Sequence, residues 1–274
     1  MTDQIEKIGD SIVQHGPANN RAYLMKLAVQ DFPDIIEQLE CLAAHHGYTK
    51  IFAKVPGMAL KHFLDNGYEL EAAIPAFYCT DDCCFLGKYY CQDRKQELEY
   101  KQVNTVLASA QQQLQAGKQQ LPEGFTCRTA KAGDALAMSS VYRSVFASYP
   151  FPIFDPEYLK SIMGTTVFFG VWEENRLVAL ASAEMDESSG TVEMTDFATL
   201  TACRGHGLAL YLLQQMEEEM KLRGMHIFYT IARAYSHGMN ITFARNGYTY
   251  AGTLTNNTNI SGSLESMNVW YKKA

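Results

Sequence analysis

The chain has 274 residues, 47% of them hydrophobic and 19% charged, with 23 Lys and Arg against 30 Asp and Glu for a formal charge of −7. That length suits about two ordinary domains, and the composition can bury real cores, which excludes a disordered tail, a collagen-like fibre and a disulfide miniprotein. Net acidity argues against a nucleic-acid or anionic-membrane surface, so any polyanion must be held at a locally built site.

No run of about 18 apolar residues is present, and the opening MTDQIEKIGD carries acids rather than a signal-like apolar stretch. The expectation is a soluble, cytoplasmic protein with no membrane or nucleic-acid partner. The seven cysteines are odd in number and include the adjacent Cys83 and Cys84, which suits reduced thiols. Cys79, Cys83, Cys84 and Cys91 lack the paired spacing of a structural zinc site, so no metal is expected.

In the first half, periodicity predicts strands at 22–29, 48–55 and 68–78 and helices at 32–46 and 59–66. Residues 95–121 are polar and Gln-rich, with Leu98, Val103, Val106, Leu107, Ala110 and Leu114 near helical spacing, and they close on Pro122 and Gly124. They read as a helical connection, 96–124, between an N-terminal domain at 1–95 and a C-terminal domain at 125–274.

The second half begins with a strand at 124–130 and a helix from Asp134 to about residue 146. The stretch 149–158, YPFPIFDPEY, is too broken by proline for a long helix. Strands follow at 167–172, 177–185 and 191–200, then a strong amphipathic helix at 208–223. A strand at 226–233, a short helix at 239–245 ended by Asn246-Gly247, and strands at 248–254 and 264–271 complete the chain. Hairpins followed by strand–helix–strand units indicate a mixed α/β sheet in both halves, the N-terminal one smaller. The run from Ile51 to Ala72 also aligns with that from Ile227 to Gly252, so that Phe63, Gly67 and Tyr68 echo Phe243, Gly247 and Tyr248. Two ordinary Asn-Gly caps would give this, and so would a degenerate internal repeat.

The chemistry concentrates at Arg204-Gly205-His206-Gly207-Leu208-Ala209, between the strand at 191–200 and the helix at 208–223. Glycines there allow a tight turn that aims successive N–H groups into one concavity, and the helix adds its positive dipole end. The result is an anion cradle of pyrophosphate size. Neither the Walker pattern nor the dinucleotide G-x-G-x-x-G is present.

The order R-G-H-G-L-A, helix, strand, then N-x-x-F-x-x-x-G-Y resembles the GNAT family of N-acetyltransferases over residues 125–274. That family's loop is Arg/Gln-x-x-Gly-x-Gly/Ala, matched by Arg204, Gly207 and Ala209. Over nearly its full length the chain is similar to the β-lysine N-acetyltransferase branch, through YTKIFAKVP, TDFATL, TIARAYSHGMN, FARNGY and ESMNVWY. The resemblance implies acetyl-CoA as cosubstrate, its pyrophosphate on the amides of residues 204–209. The rest of it would lie in a V between splayed strands at 191–200 and 226–233, against Phe197, Ala198 and Thr199. It further implies direct transfer to the ε-amine of β-lysine, giving a compatible solute. Another small amine such as a polyamine or free lysine, or a silent coenzyme-A-sensing module, are the alternatives.

A lysine-type amine of pKa about 10.4 is free in only about one molecule in 2,500 at neutral pH, a handicap of roughly 4.6 kcal/mol that a base or the site's field must offset. Glu193 and Asp196 lie on the central strand. Strand alternation sends them to opposite faces unless a bulge intervenes. The family often uses a strand Glu through water, together with a bulge that aims an amide at the carbonyl. Glu193 is therefore the expected base or water-holder and Asp196 a binding or structural acid; ordinary solvent-facing or salt-bridged acids are the alternative for both.

One departure stands out: where family members commonly carry a Tyr to protonate the leaving thiolate, this chain has Phe243. Tyr235, Ser236, His237 or water could replace it, or the thiolate could leave with little help. Phe243 is then expected beside the pantetheine arm and Asn240 on that arm's amides, with helix capping as the other role for Asn240. His206 should point to solvent and lend only its amide. Tyr149, in the aromatic stretch, is a candidate wall of the acceptor site. Arg143 or Arg233 is the candidate for a substrate carboxylate and Glu265 for an ammonium. The N-terminal domain carries Asp31 and Pro33 where the glycine loop would be. It is expected to be a non-catalytic companion that covers the sheet or cleft, or forms a homodimer interface.

Overall fold

The computed structural model describes residues 3–274, which form eight α-helices and one thirteen-stranded sheet. In the first half β1 (Gln4–Ile8), β2 (Ser11–Gly16) and β3 (Arg21–Lys26) form a meander. It is followed by α1 (Ile35–His46), β4 (Lys50–Pro56), α2 (Leu60–Asp65), β5 (Glu69–Tyr78) and β6 (Asp81–Tyr89). Short α3 (Gln92–Lys95) and α4 (Tyr100–Gln111) lead to β7 (Phe125–Thr129), α5 (Ala135–Val145) and α6 (Pro156–Ile162). The second half continues with β8 (Thr166–Glu173), β9 (Arg176–Asp186), β10 (Thr191–Thr199), α7 (Leu208–Leu222) and β11 (Ile227–Arg233). It closes with α8 (His237–Arg245), β12 (Thr249–Ile260) and β13 (Ser263–Lys273).

The strand order is β1-β2-β3-β4-β6-β5-β12-β13-β11-β10-β9-β8-β7. It reads alike from either end. β3 and β4 are parallel with α1 between them, as β10 and β11 are with α7 between them. β4 pairs antiparallel with β6 and β6 with β5, as β11 does with β13 and β13 with β12. The two sequence runs that align occupy equivalent places, down to single bonds. After α2, Tyr68 N donates to Phe63 O at 3.1 Å; after α8, Tyr248 N donates to Phe243 O at 3.1 Å. In both, the Tyr ring then meets the Phe ring edge-on, at 4.9 and 5.1 Å.

The halves join where β5 meets β12. Gly252 there has φ +148, and a Cβ would stand 2.1 Å from Glu71 O, so only glycine permits this approach. Beside it the buried Lys50 Nζ donates to Glu71 Oε2 at 2.9 Å and to Thr255 O at 2.8 Å. An apolar layer of Tyr23, Phe52, Phe77 and Phe85 against Tyr229 and Met267 fills the space between the halves. Separate clusters lie under α1, under α7, and under α5 with α6.

β1, β2 and β6 were not expected from periodicity. β1 is an exposed edge strand, β2 buries the polar Ser11, Gln14 and His15, and β6 buries residues on both faces, so none alternates in hydropathy. The connection is helical only over α4. Beyond Gln111 it runs without helix or strand, held by Ala116 N on Arg245 O at 2.7 Å and Gln119 N on Gln214 Oε1 at 2.7 Å. Cys83 and Cys84 point into different clusters and Cys79 and Cys91 are exposed, so the four thiols do not converge. Among the described residues no helix is long and apolar enough to cross a membrane.

Candidate active site

β10 and β11 stay in register for three pairs only, Thr191–Ile227, Val192–Phe228 and Glu193–Tyr229, and then separate. The gap opens into a cavity of about 780 Å³. On its other side β10 pairs with β9 through Thr195–Ser182 and then Ala198–Leu180, so two residues of β10 oppose one of β9. Asp196 sits in this bulge at φ +55. The extra residue breaks the alternation, so Glu193 and Asp196 both line the cavity.

At the mouth of the V, a short 3-10 turn at Thr201–Cys203 leads through Gly205 (φ +86) and Gly207 (φ +72) into α7. Among the described residues the six amides from Gly205 to Leu210 donate to no acceptor; the first intrahelical bond is Tyr211 N to Gly207 O at 3.0 Å. Gly207 also lies against the connection: a Cβ there would stand 2.9 Å from Gln119 Nε2. Arg204, Gly205, Gly207, Leu208 and Ala209 all line the cavity, and Arg204 Nε donates to Thr199 O at 3.3 Å. Unpaired amides at the positive end of a fifteen-residue helix make a cradle suited to a diphosphate.

At the root of the V, the acids gather. Glu184 on β9 is the register partner of Glu193. Burial raises the Glu193 carboxyl above its ordinary range, against the pull of the Lys54 charge and the Tyr229 hydroxyl. Burial likewise raises the Asp196 carboxyl, opposed by hydrogen bonds from Ser182 Oγ, at 2.6 Å, and from the Tyr149 hydroxyl. Among the described residues neither Glu193 nor Asp196 forms a salt bridge; both belong to the cavity. Tyr149 does wall it, through that bond to Asp196.

The opposite wall comes from the first half of the chain. Arg21, Tyr23 and Met25 of β3 and Phe52 and Lys54 of β4 face the acids. Lys54 Nζ lies 3.4 Å from the Tyr229 hydroxyl. Burial disfavours its ammonium, yet Tyr23, Cys83, Glu193 and Asp186 together hold its pKa above the ordinary value. Glu184, Tyr229, Arg21 and Lys54 were not singled out from the sequence. For Lys54 a signal was present, since it lies within the YTKIFAKVP run.

Several expected site residues are placed otherwise. Asn240 is fully buried and saturated: Nδ2 donates to Arg233 O (2.9 Å) and Ser236 O (2.8 Å), and Oδ1 accepts from Asn268 Nδ2 and Trp270 Nε1, both at 2.9 Å. It has no bond left for a cofactor arm. Arg233 reaches the cavity, but it is bound side-on to Glu265, with Nε and Nη2 at 2.8 and 2.6 Å from the carboxylate oxygens. Glu265 opens onto a different groove, so neither is free for the substrate role expected of it. Arg143 hydrogen-bonds Phe154 O and is outside the cavity. The Tyr235 hydroxyl turns away to Glu97 Oε1 at 2.6 Å. Ala198 packs its methyl into the cluster behind the sheet, leaving Phe197 and Thr199 on the cavity side. His206 is exposed and outside the cavity, with its Nδ1 3.2 Å from Cys203 O. Phe243 does line it, edge-on to Phe197 at 5.6 Å.

Comparison with known proteins points the same way. A family model described as "Acetyltransferase (GNAT) family" matches residues 137–248. The chain is 41% identical over 271 residues, covering 98% of both chains, to the β-lysine N(6)-acetyltransferase of Methanococcus maripaludis. It is 31% identical to the β-lysine N(6)-acetyltransferase of Methanosarcina mazei, covering 88% of this chain and 97% of that one. It is 32% identical to N-acetyltransferase YodP of Bacillus subtilis, covering 80% of this chain and 78% of that one.

Proposed function

The chain belongs to the GNAT family of acetyltransferases, and on that premise we propose that it transfers the acetyl group of acetyl-CoA to the ε-amine of β-lysine. The observation that carries this reading is the convergence on one cavity of six unpaired amides at its mouth and a cluster of carboxylates at its root.

Acetyl-CoA fits the residues present. The amides of Gly205 to Leu210 would hold the diphosphate, with Arg204 beside them, and Phe197, Thr199 and Phe243 would flank the arm in the V. When bound it supplies the activated acyl group. Glu193 and Asp196 attract the diammonium substrate beside Glu184, whose carboxyl is pushed well up by burial and by those two acids, and Glu193, made more basic by burial, takes the proton from the attacking amine directly or through water. That offsets part of the roughly 4.6 kcal/mol needed to free the amine. The bulge at Asp196 and Phe197 supplies a main-chain donor for the developing oxyanion. Tyr149 and Ser182 fix Asp196, whose role is to hold the bulge and the field. The thiolate departs without a tyrosine acid, since a thiol of pKa about 8.5 is a fair leaving group.

Residues 125–274 are the transferase unit in this reading, 96–124 the connection, and 1–95 a non-catalytic companion that closes the acceptor side. The product has lost one of two cations and is neutral overall, as suits a compatible solute in the cytoplasm. The test is side-by-side turnover of β-lysine, α-lysine and spermidine with acetyl-CoA. β-Lysine should be used best and modified at its ε-nitrogen; preference for spermidine would overturn the reading.

A further inference from the structure

Among the described residues Arg21 is a buried cation with no carboxylate in salt-bridge contact. Its side chain is 3% exposed, yet it lines the cavity. Nη1 donates to Asn257 O and to Thr258 Oγ1 at 3.2 Å, and Nη2 reaches Gln14 Oε1 at only 3.4 Å. Among the described residues Nε has no acceptor and no carboxylate forms a salt bridge with the guanidinium. With five N–H donors and three bonds, two donors are left over.

The neighbourhood deepens the imbalance. Lys50 and Arg94 are the nearby cations that act on Arg21, and Glu71 is already bound by Lys50. Arg94 rests on Asn19 O at 2.8 Å and Thr49 Oγ1 at 3.2 Å, both neutral. The acids that act on Arg21 are Glu71, bound by Lys50, and Asp3, bound by Asn19, so neither is free to pair with it. Burial pushes the Arg21 guanidinium down to about 10, which leaves it charged at neutral pH. An uncompensated buried charge is unfavourable, and an anion arriving in the cavity would relieve it.

Lys54, the other cation of this wall, is committed elsewhere, 3.4 Å from the Tyr229 hydroxyl and beside Glu193. Arg21 stands further off. It lies over the Tyr23 ring at 5.1 Å, and both residues line the same cavity as Glu193. In an extended 3,6-diaminohexanoate the ε-nitrogen and the carboxylate carbon are six bonds, about 7.5 Å, apart. A carboxylate that far from an amine held at Glu193 needs a cation elsewhere on the cavity wall, and Arg21 has donors to spare there.

We propose that Arg21, carried by the N-terminal half, receives the carboxylate of the acceptor, so that both halves complete one acceptor site that selects amino-acid amines over polyamines. The inference rests on reading the cavity as an acetyl-acceptor site.

The experiment measures kcat and KM for two acceptor pairs that differ only by the carboxylate: β-lysine against pentane-1,4-diamine and α-lysine against pentane-1,5-diamine. The full-length wild type, Arg21→Met and Arg21→Lys are compared, with acetyl-CoA affinity and melting temperature as checks on folding. The wild type should prefer the carboxylate-bearing member of its better pair by about 100-fold in kcat/KM. In Arg21→Met that preference should fall below about 5-fold, through KM rather than kcat; Arg21→Lys, charged but without the fork, should lie between. Equal losses on both members of a pair in either variant, with acetyl-CoA binding intact, would overturn the proposal. A wild type that prefers α-lysine to β-lysine contradicts the β-lysine reading, and Arg21 is then judged on the α-lysine pair. A wild type that prefers the diamines overturns both.

Discussion

Glu193 and Tyr229 are the last residues at which β10 and β11 remain paired; beyond them the strands part and the cavity begins. A carboxylate at that vertex faces the attacking amine in the present account, while the mouth of the V holds the diphosphate. Both sites follow from one local event, the loss of a parallel ladder after three pairs.

Glu193→Gln should lower kcat by about 10²- to 10³-fold while leaving the dissociation constant for acetyl-CoA unchanged. Steady-state kinetics with an equilibrium titration check this. Full turnover in the variant would assign the base elsewhere.

The pH profile gives the sign of the same effect. Glu193 must be deprotonated to act, and burial raises its pKa, so kcat/KM should fall on the acid side with a midpoint above the ordinary glutamate value of about 4.3. Lys54 favours the carboxylate form. Lys54→Met should therefore move that midpoint further up, as a pH–rate profile of the two proteins would show.

Gly207 adopts φ +72 and meets Gln119, so any side chain there strains the loop as well as filling the cradle. Gly207→Glu should weaken acetyl-CoA binding by at least about 100-fold, from strain plus like-charge repulsion. Calorimetric titration measures it directly. Unchanged affinity would place the diphosphate elsewhere.

Asn240→Ala separates a structural from a ligand-binding residue. It removes four buried hydrogen bonds, three of which tie α8 to β11 and β13, and should cost about 2–4 kcal/mol of stability. Thermal and denaturant melts should register that loss, while KM for acetyl-CoA at a permissive temperature stays within about 2-fold of wild type.

What the sequence revealed tracks how local each feature is. The loop from Arg204 to Ala209 was legible because its glycines and the following helix are contiguous. The matched Asn-Gly ends of α2 and α8 were legible for the same reason, since the turn and the ring contact span six residues. The bulge at Asp196 depends on pairing with β9, so alternation alone could only name it as a condition. Asn240 could not be assigned between its two expected roles because a buried structural amide and a ligand-binding amide look alike in a sequence. Arg21 and Lys54 escaped because their place opposite Glu193 is set by the β5–β12 seam, which pairs Ala72 with Gly252, 180 residues apart along the chain.

The most direct measurement is a crystal structure with acetyl-CoA bound. The diphosphate should lie within hydrogen-bonding distance of the amides of Gly205 to Leu210 and the acetyl group between β10 and β11, near Glu193. A diphosphate bound away from that loop, or an acetyl group outside the V, would contradict it.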